Sequence, residues 1–252
     1  MQENNRFQDF FEDPRYVALK NYLYNYRLRK RSINKVLKGE SEGWTLEAGS
    51  GLTPIITNID RIVYSELSFL ALKTLRQIHP RGLHVVADAT CLPFKTESFS
   101  RVVCSEVLEH IPEDRRAIEE LARMVSPDGD VVITFPHRKC YFTFDDYFVK
   151  HLRRYELEEM AELLQEAGLH PKEIKKVLGP LEKIISLILT HCFAALERQK
   201  RVKPLKKKST AGRSMVWTFK WINWLLAWVV RLDAFLVPRQ WSTVLLIRTR
   251  KK

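Results

Sequence analysis

The sequence predicts an α/β fold, a doubly wound and largely parallel sheet. From Trp44 onward, short apolar runs alternate with stretches of helical periodicity, the order that parallel strands joined by right-handed helical crossovers require. The first apolar run ends in a glycine-rich turn, "LEAGSG", and acids follow the second and third runs. Those positions are strand C-termini, the edge at which open α/β sheets bind ligands.

The elements follow in order. Residues Pro14 to Lys38 read as a helix, with Asp13 as its cap, Pro14 in its first turn and Gly39 at its end. From Arg15 to Lys38 it carries eight basic residues and no acid, interleaved with Tyr16, Tyr22, Tyr24 and Tyr26. It either packs on the domain or forms a lid or membrane-facing helix. The strands are then "WTLEAGSG", "RIVYSEL", "LHVVADA", "SRVVCSEVLEH" and "DGDVVITFP", the last preceded by a turn at Pro127 to Gly129. Helices fall after the second strand, through Gln77, at "EDRRAIEELARMV", and from Glu156 to Ala167 before Gly168. "HPKEIKKVL" and "STVLLIRTR" have strand composition.

Composition narrows the classes. Cys91, Cys104, Cys140 and Cys192 lie far apart, which argues against a disulfide framework and a structural zinc, and fits a reducing cytoplasm. No metal ligands are assigned. The N-terminus lacks the basic-then-apolar order of a signal peptide. Net charge is +12, but residues 198–252 hold fifteen Lys/Arg against Asp233 alone, leaving 27 basic and 29 acidic groups elsewhere. The basic end suggests contact with phosphates, of lipid or of nucleic acid.

In "LEAGSG", two glycines let the backbone turn sharply and approach a ligand, and Glu47 before them suits a cationic one. Glu66 ends the second strand, where a carboxylate can accept ribose hydroxyls, and Asp88–Ala89 ends the third. "SEVLEH", Ser105 to His110, ends the fourth. With these residues the chain, from about Trp44 to Leu178, resembles the class I S-adenosylmethionine-dependent methyltransferases, type 11 family. The resemblance implies a seven-stranded Rossmann-like sheet and S-adenosyl-L-methionine as cofactor. It assigns the cofactor's methionine part to Glu47, Ala48, Gly49 and Gly51, the ribose to Glu66 with Leu67, and the adenine to Asp88 and Ala89. Ser105 and Glu106 would line the cofactor. Three departures stand out: a first helix squeezed into "LTPIITNID", Thr53 at the third glycine position, and Ser100 for the usual acid before strand four.

Methyl transfer from a sulfonium rests on alignment, with a base where the nucleophile carries a proton. His110, His137 and His151 are the candidate bases, because histidine titrates near neutrality. "HLRRYELEEM" resembles a G-H-x-R-R-Y segment of membrane-associated relatives, with Lys150 in place of the glycine. Arg153, Arg154 and Tyr155 are its candidate substrate contacts; anchoring of the next helix is the alternative.

The resembled sheet ends in an antiparallel pair, yet about sixty residues separate the two candidate strands. The region between them is therefore an insertion: an apolar stretch from Lys183, a basic linker, and "WTFKWINWLLAW". Trp217, Trp221, Trp224 and Trp228 share one helical face. Rings flanked by Lys/Arg suit a lipid headgroup region; packing, dimerisation and a re-entrant or spanning hairpin are the alternatives. The expected organisation is a basic helical segment at 1–40, a methyltransferase core at 41–179, a membrane-facing insertion at 180–240, and a last strand with basic tail at 241–252. The expected protein is cytoplasmic and peripheral on an anionic membrane, acting on a lipid or lipid-linked acceptor. RNA methylation through the basic segment and non-catalytic cofactor binding are the rivals.

Overall fold

The computed structural model describes residues 21–38, 42–202 and 212–251, with side chains for all of these except 192–202 and 212–216. Seven strands form one sheet in the order β3-β2-β1-β4-β5-β7-β6. They are β1 (Thr45–Ala48), β2 (Ile62–Glu66), β3 (Leu83–Val86), β4 (Phe99–Ser105), β5 (Val125–Pro136), β6 (Leu169–Leu178) and β7 (Val244–Lys251). β1 to β5 pair in parallel, and β7 runs antiparallel between β5 and β6. The winding reverses between β1 and β4, so the loops after these two strands open a crevice at the sheet's C-terminal edge.

Helices cover both faces. α1 (Tyr24–Val36), α2 (Phe69–Ile78) and α7 (Gly212–Leu236) lie on one, with Ile33, Leu72, Leu75 and Val230 in a shared core with Tyr64 and Val132. α3 (Asp114–Met124) and α5 (Leu157–Glu166) pack Ile118, Leu121, Met160 and Leu164 against the other. α4 (Phe144–Phe148) and α6 (Pro180–Val202) close one end of the crevice.

Several expectations shift. Of the N-terminal helix, Tyr24 to Val36 is helical, while Asp13, Pro14 and Gly39 lie outside the described residues. No helix stands between β1 and β2, where a short or irregular one was expected. The turn at Pro127 to Gly129 falls inside one long strand, whose register with β4 shifts between Phe99 and Arg101. α4 was not anticipated. The stretch from Glu197 to Val202, read as linker, continues α6; 203–211 lie outside the described residues.

The interval between β6 and β7 is filled by α6 and α7, and polar contacts tie both to the sheet. Asp233 of α7 accepts the Leu181 amide at 3.0 Å, satisfying an open donor in the first turn of α6. Lys176 of β6 donates to the Phe235 and Val237 carbonyls at the end of α7. On α7, Asn223, Val230 and Ala234 are buried, while Trp217, Trp221, Trp224 and Trp228 are each 44–63% exposed on the opposite face. Among the described residues, no helix is long and apolar enough to cross a membrane.

Gly179, between β6 and α6, has no room for a side chain: an added Cβ would lie 2.9 Å from the Ala234 backbone nitrogen. Because that neighbour is helix backbone, Gly179→Ala should destabilise by about 2 kcal/mol. Urea unfolding measures it; an unchanged midpoint would contradict the close packing of α7.

Candidate active site

A cavity of about 900 Å³ lies at the crevice. Its floor is the turn after β1. Gly49 holds φ +73°, and a Cβ there would meet Val107 Cγ2 at 2.4 Å, so the sequence allows no side chain at this approach. Glu47 lines the cavity, yet both its oxygens accept backbone amides, from Ile55 (2.7 Å) and Ile56 (3.0 Å). Here the carboxylate braces the irregular segment that stands where a helix would begin. Glu66 likewise accepts the Gly51 amide at 3.0 Å and the Ser68 amide at 3.1 Å. It thereby joins the β1 turn to the β2 end.

Most residues singled out for the cofactor lie around this space: Gly51, Leu67, Asp88, Ala89, Ser105 and Glu106 all line it. Ala48 does not; it is buried in β1, and only its neighbours reach the cavity. Asp88 accepts from the Thr90 amide and hydroxyl, each at 2.8 Å. Ser105 pairs with Thr134 at 2.8 Å. Glu106 takes φ +55°, a left-handed conformation that non-glycine residues rarely hold. α1 supplies Asn25, Tyr26 and Arg29 to the same space, so it packs on the domain and also covers the cavity. The Tyr26 hydroxyl donates to the Pro54 carbonyl at 2.7 Å.

The candidate bases separate. His137 is buried outside the cavity, its Nδ1 2.8 Å from the Ser242 carbonyl, and burial lowers its pKa. It is a strand-end anchor, which corrects its assignment as a base. His110 and His151 both line the cavity, with ring centroids 4.8 Å apart. The Leu152 amide donates to the Glu109 carbonyl at 2.8 Å and brings the two segments together. Lys150, in the glycine position of the resembled segment, sits at φ +62°, the conformation that favours glycine.

The substrate assignments divide as well. Arg153 pairs with Asp114 at 2.7 Å, and the buried Tyr155 hydroxyl donates to the same carboxylate at 2.7 Å. Neither residue lines the cavity, so both are corrected to anchors of the segment before α5. Arg154 does line it, held through Nε to Asp146 at 2.8 Å.

A buried charged cluster that was not foreseen completes the wall. Asp145 and Asp146 of α4 both bind Lys183 of α6, at 2.7 and 2.6 Å, and Asp146 also binds His151 and Arg154. Burial alone would raise the Asp146 carboxyl, but the His151 hydrogen bond, the Arg154 charge and the Lys183 hydrogen bond hold it below the usual range. Lys183 looked like the edge of an apolar stretch, and "FDDYF" carried no recognisable spacing. The one available signal was the pair of adjacent acids.

Burial raises the Glu182 carboxyl to about 7, with Arg154 and Lys183 pulling the other way. The folded protein therefore keeps a proton there that the unfolded chain releases near pH ~4.3. Stability should fall as pH rises from that value to about 7. Glu182→Gln removes the dependence, worth on the order of 3 kcal/mol at most. Unfolding free energies across this window check it, and parallel curves for the two proteins would contradict it.

Comparison with known proteins agrees with this geometry. Residues 46–133 match a family model described as a methyltransferase domain. A demethylmenaquinone methyltransferase of Streptomyces griseus is 26% identical over 132 residues, covering 51% of this chain and 57% of the relative. That of Renibacterium salmoninarum is 28% identical over 93 residues, covering 37% and 39%. The chain thus spans about half the length, or less, of these curated relatives. Among solved structures, an S-adenosylmethionine-dependent methyltransferase of Thermotoga maritima superposes with TM-score 0.60 at 18% identity, covering 98% and 97% of the two chains. Haemonchus contortus phosphoethanolamine N-methyltransferase 2, in complex with S-adenosyl-L-methionine, gives 0.61 at 19%, covering 97% and 60%. At such identities the structures establish the fold. Residues 46–133 thus match a methyltransferase domain, and the strand order and the cavity at the strand ends give the chain the fold of S-adenosylmethionine-dependent methyltransferases.

Proposed function

We propose that the protein transfers a methyl group from S-adenosylmethionine to a lipid or lipid-linked acceptor at a membrane surface. The observation that carries this is the pairing of the strand-end cavity with an exposed aromatic face. α7 packs against α1, and α1 and α6 both line the cavity. The face that α7 turns outward holds four tryptophans in successive ring contact, with centroids 5.8, 5.5 and 6.3 Å apart, joined by Leu225, Leu232 and Phe235. Arg231 lies over the Trp228 ring and Lys220 over Tyr22. Aromatic rings beside cations suit the headgroup layer of an anionic bilayer. The names of the curated relatives point the same way, since a demethylmenaquinone is a lipid-like quinone.

The site's chemistry fits the cofactor. The side-chain-free approach at Gly49 suits the methionine part, Glu66 the ribose hydroxyls, and Asp88 with Ala89 the adenine. The cavity volume is sufficient for a cofactor with an acceptor beside it. When bound, S-adenosylmethionine supplies an electrophilic methyl group on a positively charged sulfur. The chain contributes alignment and exclusion of water: α1 covers the cavity, and the Asp145–Lys183–Asp146 cluster fixes the opposite wall. His110 and His151 are the titratable rings on that wall.

Asp88→Ala should weaken S-adenosylmethionine binding about tenfold or more by calorimetry, and its exposed carboxylate makes it a safe substitution for folding. No binding by the wild type would refute the cofactor assignment. Wild-type protein should co-sediment with anionic phospholipid vesicles, and replacing Trp217, Trp221, Trp224 and Trp228 by alanine should abolish this. Equal sedimentation of both proteins would remove the membrane reading. Failure to sediment, combined with salt-dependent RNA binding, would transfer the acceptor to nucleic acid.

A further inference from the structure

Glu109, His110 and His151 each bring a ligand atom within 4.8 Å of the others. Glu109 is fully buried, and neither of its carboxylate oxygens has a hydrogen-bond partner. A buried acid left without donors is costly, and such groups either neutralise or coordinate. Both imidazoles are held by outer groups. The Nδ1 of His110 lies 3.1 Å from the Lys150 carbonyl, and the Nδ1 of His151 lies 2.8 Å from Asp146. Carbonyl and carboxylate oxygens only accept, so each Nδ1 donates the hydrogen bond, and Nε2 is the ligand atom that each ring would offer. A carboxylate or carbonyl behind a histidine is the arrangement that orients metal-binding imidazoles.

We propose that Glu109, His110 and His151 form a divalent-cation site in the wall of the cavity, with further coordination positions open to an oxygen-bearing acceptor. Two imidazoles and one carboxylate suit a transition-series ion such as Mn²⁺ or Zn²⁺. His151 Nε2 is 3.6 Å from Glu109 Oε1, against about 3.3 Å for adjacent ligands on a tetrahedral ion with bonds of ~2.05 Å. A small closure of the His110 and His151 segments completes the set. Glu106 adds a carboxylate alongside, one of whose oxygens is also buried without a partner. Arg29 pairs with Glu106, and Lys183 and Arg154 pair with Asp145 and Asp146, which leaves no Lys or Arg paired with Glu109 among the described residues. The acceptor class rests on the methyltransferase reading: an ion here would draw a hydroxyl or phenolic oxygen of the acceptor into the site.

The test is titration of chelator-stripped protein with MnCl₂, followed by the electron paramagnetic resonance of the free ion, and with ZnCl₂ by calorimetry. About one equivalent should bind the wild type, with affinity reduced ~10–100-fold in His110→Gln and in Glu109→Gln. The half-exposed His110 is the safer variant for folding, and circular dichroism checks both. Wild-type protein that binds neither ion, or binds no better than the variants, overturns the proposal. S-adenosylmethionine calorimetry on the stripped protein separates the two readings. Cofactor binding without ion binding refutes the cation site alone. Ion binding without cofactor binding supports the site and refutes the methyltransferase assignment.

Discussion

The structure depends on a buried ionic cluster that joins three separate parts of the chain. Removing one member of such a cluster leaves a desolvated charge, which costs several kcal/mol. Asp145 and Asp146 come from α4, Lys183 from α6, and His151 and Arg154 from the segment before α5. Arg154 extends the tie to the carbonyls of His137 and Thr243, at the C-terminal end of β5 and the start of β7. The inserted helix α6 is thus bound to the cavity wall by charge, while α7 is bound to α6 by Asp233 and to β6 by Lys176. A face carried on α7 therefore keeps a fixed relation to the crevice.

The opposite wall is set by carboxylates that hold backbone. Glu47 fixes the segment after β1 through two amides, and Glu66 joins the glycine turn to the start of α2. Charge-assisted bonds of this kind are about twice as strong as neutral ones. They stand in for the helix that the short "LTPIITNID" segment cannot form. The same acids that order the loop also border the space that a cofactor would fill.

The sheet was legible because its signals are local. Each strand is a short apolar run, and the acids at strand ends occur at fixed places along the chain. The antiparallel pairing of β6 with β7 was legible too, despite the residues between them. Site roles were less so, because a side chain's role depends on partners distant in sequence. His137 and His151 look alike as residue types, yet one is buried against Ser242 and the other borders the cavity. Arg153, Arg154 and Tyr155 are consecutive, but only Arg154 faces the cavity, since Asp114 takes the other two. Glu109 gave no sign of burial, which comes from the later segment folding over the turn after β4.

The aromatic face follows from periodicity in a way the cluster does not. Asn223, Val230 and Ala234 turn inward at helical spacing, which leaves the tryptophans outward. The account's central claim is that S-adenosylmethionine occupies the space between the β1 turn, the ends of β2, β3 and β4, and the covering helix α1. Hydrogen–deuterium exchange with and without the cofactor tests it most directly. The account predicts slowed exchange concentrated in residues 47–56, 65–68, 87–91, 105–110 and the first turns of α1. Unchanged exchange there, or protection confined to α7, would contradict it.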